Sequence, residues 1–323
     1  MRKKIGPVLG WVVTIAILVY LFRKIDVAEV AKAIYRATWW TIPANAILVI
    51  AVYLADSFAI KKTFGWFVAP LSYREVLVVR GATYLLALVN YTVGQGAIVY
   101  FVNRSRGVPV LRGTAAVLLV MGINVLMLLV LASLGLAVSP DVPPILKLVV
   151  AVACAGLAVY IGLVAAKPRW LVSRPIFDVL LSAGIAGHLR SMAVRLPHIL
   201  ALMALSWFSL AAFGVVVPLA KAIMCLPIVY FVAVLPISFQ GLGTSQAMLI
   251  HFFSVYAPGA TDKARWEVIV AASLVSQAIA FLLQLSIGLV CMRNQLARSL
   301  GQVREPAAAA ETGAETGADK GMP

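Results

Sequence analysis

Carboxylates are scarce in this chain. Twelve Asp and Glu stand against 27 Lys and Arg among 323 residues. Outside the last 19 residues the acids are Asp26, Glu29, Asp56, Glu75, Asp141, Asp178, Asp262 and Glu267, scattered singly along the sequence. Paired external acids for acid–base work or metal holding are therefore missing, which weighs against a membrane glycosyltransferase of that kind. No run of acids in apolar segments marks a proton path. The three cysteines, Cys154, Cys225 and Cys291, fall in apolar runs without disulfide or zinc spacing and read as packing residues. A Walker sequence is absent, and with it any built-in ATP motor. Ser/His/Asp groupings are missing too. No catalytic residue, metal or cofactor is expected, and the chain does not read as an enzyme.

Charge of both signs is low, at 12% of residues, while 63% are apolar. Soluble domains carry roughly 25% charged residues. Apolar runs long enough to cross a bilayer, each about 20 residues, recur at Ile5–Phe22, Trp40–Ile60, Gly113–Val138, Ile145–Ala166, Ile199–Leu219 and Val268–Met292. Met1-Arg2-Lys3-Lys4 precedes the first run, but no small-residue cleavage site follows it, so a retained helix is expected. Residues 23–38 alternate apolar with charged positions and predict an interfacial helix. Lys167–Pro197 reads as a second such segment or a longer loop. Residues 305–323, rich in Ala, Gly, Glu and Thr, predict a disordered tail behind a membrane domain of residues 1–304.

Two further hydrophobic stretches, Val76–Asn103 and Ala222–Phe253, are interrupted by Gly-x-Gly among amides and hydroxyls. One contains Asn90, Gly94, Gln95 and Gly96; the other contains Pro236, Ser238, Gln240, Gly241, Gly243, Thr244, Ser245 and Gln246. Backbone that leaves the helix inside a bilayer must be buried in protein or line a wet cavity. A matched pair of broken segments points to a transporter's binding site. Glycine pairs also serve close helix packing, and at 28 and 32 residues either stretch could simply cross. We expect hairpins that re-enter from opposite faces, because three spans separate them. The fold class is then all-α: a polytopic helical membrane protein of about six full spans plus two re-entrant hairpins in an inverted repeat.

With a cytoplasmic N-terminus this topology places 19 of the 27 Lys and Arg inside, as the positive-inside rule requires. Both termini are then cytoplasmic and the protein sits in the cell membrane. The basic excess is spread through short loops without aromatic interleaving, so it suits anionic head groups and not nucleic acid.

After Gly96 and Gly243 half-helices can begin, their N–H groups facing the breaks. Thr244 and Ser245 are natural N-cap residues, and Pro227 with Pro236 would stop the incoming half-helix. Such ends suit an anionic group. Ser273, Gln277, Ala280, Gln284 and Gly288 share one face of the last span, either bonding to another helix or lining the same cavity. Arg80 would attract a lipid phosphate or snorkel to the surface. Asp56 reads as a cytoplasmic-boundary residue, Asn124 as structural, and His251 as packed or, less simply, a proton relay.

Tyr84-Leu85-Leu86, Gly94-Gln95-Gly96, residues 104–109 and Leu235 to Gln246 resemble the lysylphosphatidylglycerol synthase transmembrane-region family, the flippase-like or UPF0104 membrane proteins. The resemblance implies two re-entrant hairpins and movement of polar-headed lipids between leaflets. Many members carry a glutamate after each break, where this chain has Ala97 and Gln246, so lysyl-phosphatidylglycerol itself is a doubtful cargo. No soluble aminoacyl-transferase sequence follows the last span, and lipid aminoacylation is not expected. The leading expectation is a lipid translocase. Its binding residues would be Arg80, Asn90, Gly94, Gln95, Gly96, Ser238, Gln240, Gly241, Gly243, Thr244, Ser245, Gln246, Gln277 and Gln284, and its partners membrane lipids with anionic or polar head groups. The alternatives are an enzyme acting on a lipid-linked substrate, or an accessory subunit of a lipid-modifying or envelope-assembly enzyme.

Overall fold

The structure, a computed structural model, describes residues 35, 39–89, 91–138, 142–235 and 243–317. The expected first span, the interfacial segment of residues 23–38, and Asn90, Ser238, Gln240 and Gly241 lie outside these residues. Ten α-helices and one short 3₁₀ turn make up the described chain, with no strand among them. They are α1 (Thr41–Phe67), α2 (Tyr73–Val89), α3 (Tyr91–Arg106), α4 (Val110–Val138), α5 (Pro144–Ala166), α6 (Arg169–Val172), α7 (Pro175–Ala212), α8 (Leu219–Val234), α9 (Thr244–Phe253) and α10 (Asp262–Gly317). Helices α1, α4, α5, α7 and α10 each hold a stretch long and apolar enough to cross a membrane. Isolated helix propensity cannot explain such lengths; burial of the peptide groups in hydrocarbon can. On α5, Ile145, Leu148, Val152 and Val159 are all more than half exposed, as lipid-facing residues should be. The chain is an all-α polytopic membrane protein.

Both broken stretches fold back on themselves. At the base of the first, Arg106 Nη2 donates to Glu75 Oε1 and Oε2 at 2.8 and 3.0 Å. Were α2 and α3 one continuous helix, these 31 positions would span about 46 Å at 1.5 Å per residue. The second stretch closes likewise: a Cβ built on Gly214, before α8, would lie 3.6 Å from Pro258, after α9. Three apolar helices, α4, α5 and α7, separate the two hairpins in sequence. At the face where α2–α3 opens lie Lys61, Lys62, Arg74, Arg104, Arg106, Arg112, Lys167, Arg169 and Arg174; Lys147, Lys221, Lys263 and Arg265 lie toward the other.

Several local expectations need correction. Helix α3 begins at Tyr91, so Gly94 and Gly96 lie inside a helix and do not interrupt one. Gly94 has a packing reason, since a Cβ there would meet Ala87 at 2.8 Å; Gly96 faces open space. Pro227 sits within α8 and does not end it; the residue is buried in a tightly packed helix that tolerates one missing backbone bond. The span expected at Ile199–Leu219 starts earlier. Helix α7 runs from Pro175 to Ala212 with a kink at Gly184, whose φ of 59° suits glycine, so most of the expected interfacial segment is helix packed against α1 and α4. Helix α10 is described to Gly317.

Candidate functional site

Two apolar cores divide the bundle. One joins α1, α2, α3, α4 and the start of α7 around Phe64, Val102 and Leu119. The other joins α4, α5, α7, α8, α9 and α10 around Phe231, Phe253 and Ile269. A cavity of about 890 Å³ is lined from both: by Arg80, Tyr84 and Gln95 of the first hairpin, Tyr230, Ser245 and Gln246 of the second, and residues of α1, α4, α7 and α10. Its volume falls within the usual range for small-molecule sites.

An ion cluster forms part of its lining. Asp56 of α1 is 1% exposed. One of its carboxylate oxygens accepts from Arg195 Nη1 of α7, and the other accepts from Arg80 Nε of α2 at 2.5 Å. Arg195 also donates through Nε and Nη2 to Asn124 Oδ1 of α4, at 3.2 and 3.1 Å. The Arg80 guanidinium lies 5.1 Å from the centre of the Tyr84 ring, a cation–π distance. Asn124 is the midpoint of the 29-residue α4, about 21 Å from either end. The charges therefore lie at half the depth of the helices. The carboxylate there is paired with two guanidiniums, the arrangement that makes buried charge tolerable.

The sequence expectation for Asp56 is overturned: it is a core residue and not a boundary one. Arg80 and Arg195 likewise leave the set of cytoplasmic anchors. Arg80's two readings resolve toward the cavity, and Asn124 holds Arg195 in place, a structural role. The signal for the missed pair was helical spacing. His188, Ser191, Arg195 and His198 recur at three- and four-residue steps, all 8% exposed or less, and so do Thr41, Asn45, Val49, Tyr53, Asp56, Ile60 and Thr63 on α1. These faces meet, with Ser209 Oγ donating to Asn45 Oδ1 at 2.7 Å and His198 Nδ1 lying 3.2 Å from Val52 O.

At the second hairpin the half-helix does begin after Gly243, whose φ is 83°. The capping group is not Thr244 or Ser245. Gln246 Oε1 reaches back to accept the Gly243 N–H at 2.7 Å and the Ser245 hydroxyl at 3.1 Å, the side-chain half of a capping box. Its amide Nε2 lies 3.4 Å from Gln277 Oε1 on α10. On α10, Ser273, Gln277, Ala280 and Gln284 line the cavity, whereas Gly288 packs against Leu85. That face therefore serves both purposes considered for it. His251 is exposed and stacks on Phe252, so it is not the packed residue expected.

Of the expected binding residues, Arg80, Gln95, Ser245, Gln246, Gln277 and Gln284 line the cavity. Gly94, Gly96, Gly243 and Thr244 do not. Cavity residues not anticipated are Asp56, Arg195, Tyr84, Tyr230, Ser206, Ser209 and Ser276.

Compared with known proteins, the chain matches no curated protein and no solved structure. Residues 8–288 match the model of one family, described as the lysylphosphatidylglycerol synthase TM region. That stretch contains both hairpins and every residue of the ion cluster, and by it the chain belongs to the lysylphosphatidylglycerol synthase TM region family.

Proposed function

We propose that this protein moves a polar-headed lipid between the leaflets of the cell membrane. The observation that carries the reading is the mid-depth cavity, lined at once by an ion cluster and by residues of both hairpins. An intramembrane ion cluster is functional by default, because charge there is expensive to maintain. With their bases at opposite faces, the hairpins re-enter the bilayer, and the head group crosses between them while its tails stay in hydrocarbon. Alternating exposure comes from one half moving against the other. The Lys- and Arg-rich face, where the first hairpin opens, is cytoplasmic, and so are both termini. The cavity is a transport site and not a catalytic one: its only lining carboxylate among the described residues, Asp56, has both oxygens engaged by guanidiniums.

The test is leaflet exchange in liposomes containing the purified chain, with labelled lipids of several head-group classes. Exchange faster than in empty liposomes for at least one class is expected. Rates equal to those of empty liposomes across the whole panel would remove the translocase reading.

A further inference from the structure

We infer that the cavity selects an anionic lipid bearing one phosphodiester and a neutral, hydroxyl-rich head group, and discriminates against zwitterionic and cationic head groups. This rests on the cavity being a lipid site, and it names the class of lipid.

Charge balance is the first ground. Among the described residues, the charged groups lining the cavity are Asp56, Arg80 and Arg195, so the lining sums to +1. Unbalanced charge at this depth is costly. A phosphodiester carries a single negative charge and brings the occupied site to neutrality. A phosphomonoester, at about −1.5 to −2, overshoots. A lipid whose head group adds an ammonium leaves the site at +1 or higher.

The second ground is that, among the described residues, the one carboxylate lining the cavity is already engaged. Lys-like and choline-like groups are received by carboxylates or aromatic cages. Both oxygens of Asp56 already accept from guanidiniums, and the side chain is only 2% exposed. Arg195 is turned toward Asp56 and Asn124 and is 8% exposed, whereas the Arg80 side chain is 16% exposed and stands on the hairpin. Arg80 is thus the guanidinium presented to a ligand, with the planar fork that suits phosphate oxygens.

The third ground is the remaining polar lining. Gln95, Ser245, Gln246, Gln277 and Gln284 are all neutral groups that both donate and accept hydrogen bonds. Hydroxyl groups do the same, so a glycerol, inositol or sugar head group finds partners for each of its donors and acceptors. An ammonium offers donors only.

Native mass spectrometry of the full chain, given equimolar lipids with matched acyl chains, tests this directly. Phosphatidylglycerol and phosphatidylinositol should be retained over phosphatidylethanolamine and lysyl-phosphatidylglycerol by at least about tenfold, the effect of one lost charge-assisted hydrogen bond. Phosphatidic acid should fall between. Arg80→Gln should abolish the preference, and Arg80→Lys, which keeps the charge and the fold's counter-ion arrangement, should retain part of it. Equal or tighter retention of either ammonium-bearing lipid overturns the inference, as does an Arg80→Gln protein that folds and still discriminates. Displacement of bound lipid by millimolar inorganic phosphate or glycerophosphoglycerol would assign the site to a soluble anion instead and overturn it also. The two readings fail separately. Leaflet exchange without head-group preference sinks this inference alone, and selective retention without exchange sinks only the translocase.

Discussion

The two hairpins both pack through apolar residues, yet they differ in what is added to that packing. On the α2–α3 hairpin, whose Val76, Val79 and Val102 are buried in the first core, charge is added: Arg106 to Glu75 at its base and Arg80 to Asp56 near its middle. The α8–α9 hairpin is fastened by apolar burial, with Leu226, Ile228, Phe231 and Phe253 no more than 1% exposed, and by a glycine turn whose cap is a neutral amide. One half contributes formal charge to the cavity, and the other contributes amides, hydroxyls and a rigid wall. If either half moves against the frame, the one with the added ion pairs is better suited, since ion pairs exchange partners at constant geometry more readily than an interdigitated apolar core rearranges.

The most severe way to break this contrast is Asp56→Ala. It leaves Arg80 and Arg195 buried together without their counter-ion, which should cost about 3–5 kcal/mol. The matching change in the second hairpin, Gln246→Ala, removes a cap and should cost about 0.5–2 kcal/mol. Thermal unfolding in detergent checks both. An Asp56→Ala loss no larger than that of Gln246→Ala would mean that charge does not secure the first hairpin.

Glycines sharpen the comparison at intermediate size. Gly243 has a φ of 83°, where any side chain brings strain of about 1–3 kcal/mol. Gly94 has ordinary helical backbone but no room, so Gly94→Ala should cost about 1–3 kcal/mol through overpacking against Ala87. Gly96 has room and helical backbone, and Gly96→Ala should stabilise by about 0.5–1 kcal/mol. The Gly-x-Gly of the first hairpin is then one packing glycine and one incidental one. Melting temperatures ranking Gly96→Ala with Gly94→Ala and Gly243→Ala would show that this distinction is false. Gly243→Leu should in addition abolish lipid exchange.

Much of the architecture was legible because its signal is local. A span announces itself by length and hydropathy, and Gly243 marks the start of its half-helix, though the cap expected from Thr244 or Ser245 comes from Gln246. The ion cluster was harder to see. Asp56, Arg80, Asn124 and Arg195 lie on four helices, and each alone resembles a boundary residue or an isolated polar one. Only their pairing in space makes burial affordable, and pairing between helices leaves no mark in a single sequence beyond the spacing of polar residues along one face. That spacing, in Ser191, Arg195 and His198, was the available clue. Arg195 fell within Lys167–Pro197, expected as an interfacial segment or loop, whereas α7 runs through it to Ala212. Gly94 and Gly96 suggested an interruption because glycine marks both turns and tight packing, and at Gly94 it marks packing.

The smallest expected effect concerns the base of the first hairpin. Ser72 and Glu75 form a reciprocal cap on α2: Glu75 Oε2 accepts the Ser72 N–H at 2.8 Å, and Ser72 Oγ accepts the Glu75 N–H at 3.2 Å. Glu75→Gln keeps an acceptor for the cap but loses the Arg106 pair, which is partly exposed, so the cost should stay below about 1 kcal/mol. The Ser72 N–H first, and then the Ser72 hydroxyl and the Arg106 guanidinium, hold the Glu75 carboxyl below its ordinary value. A carboxyl lowered on folding stabilises at neutral pH and loses that contribution as pH falls through its folded-state value. The wild-type chain should therefore be slightly more stable than Glu75→Gln at neutral pH, and the gap should close in acid. High salt should narrow it as well, because the pair is open to solvent. Differences between the two melting curves that ignore both pH and salt would leave the charged base of the hairpin without energetic weight, and would bring the two hairpins closer in character than their contacts suggest.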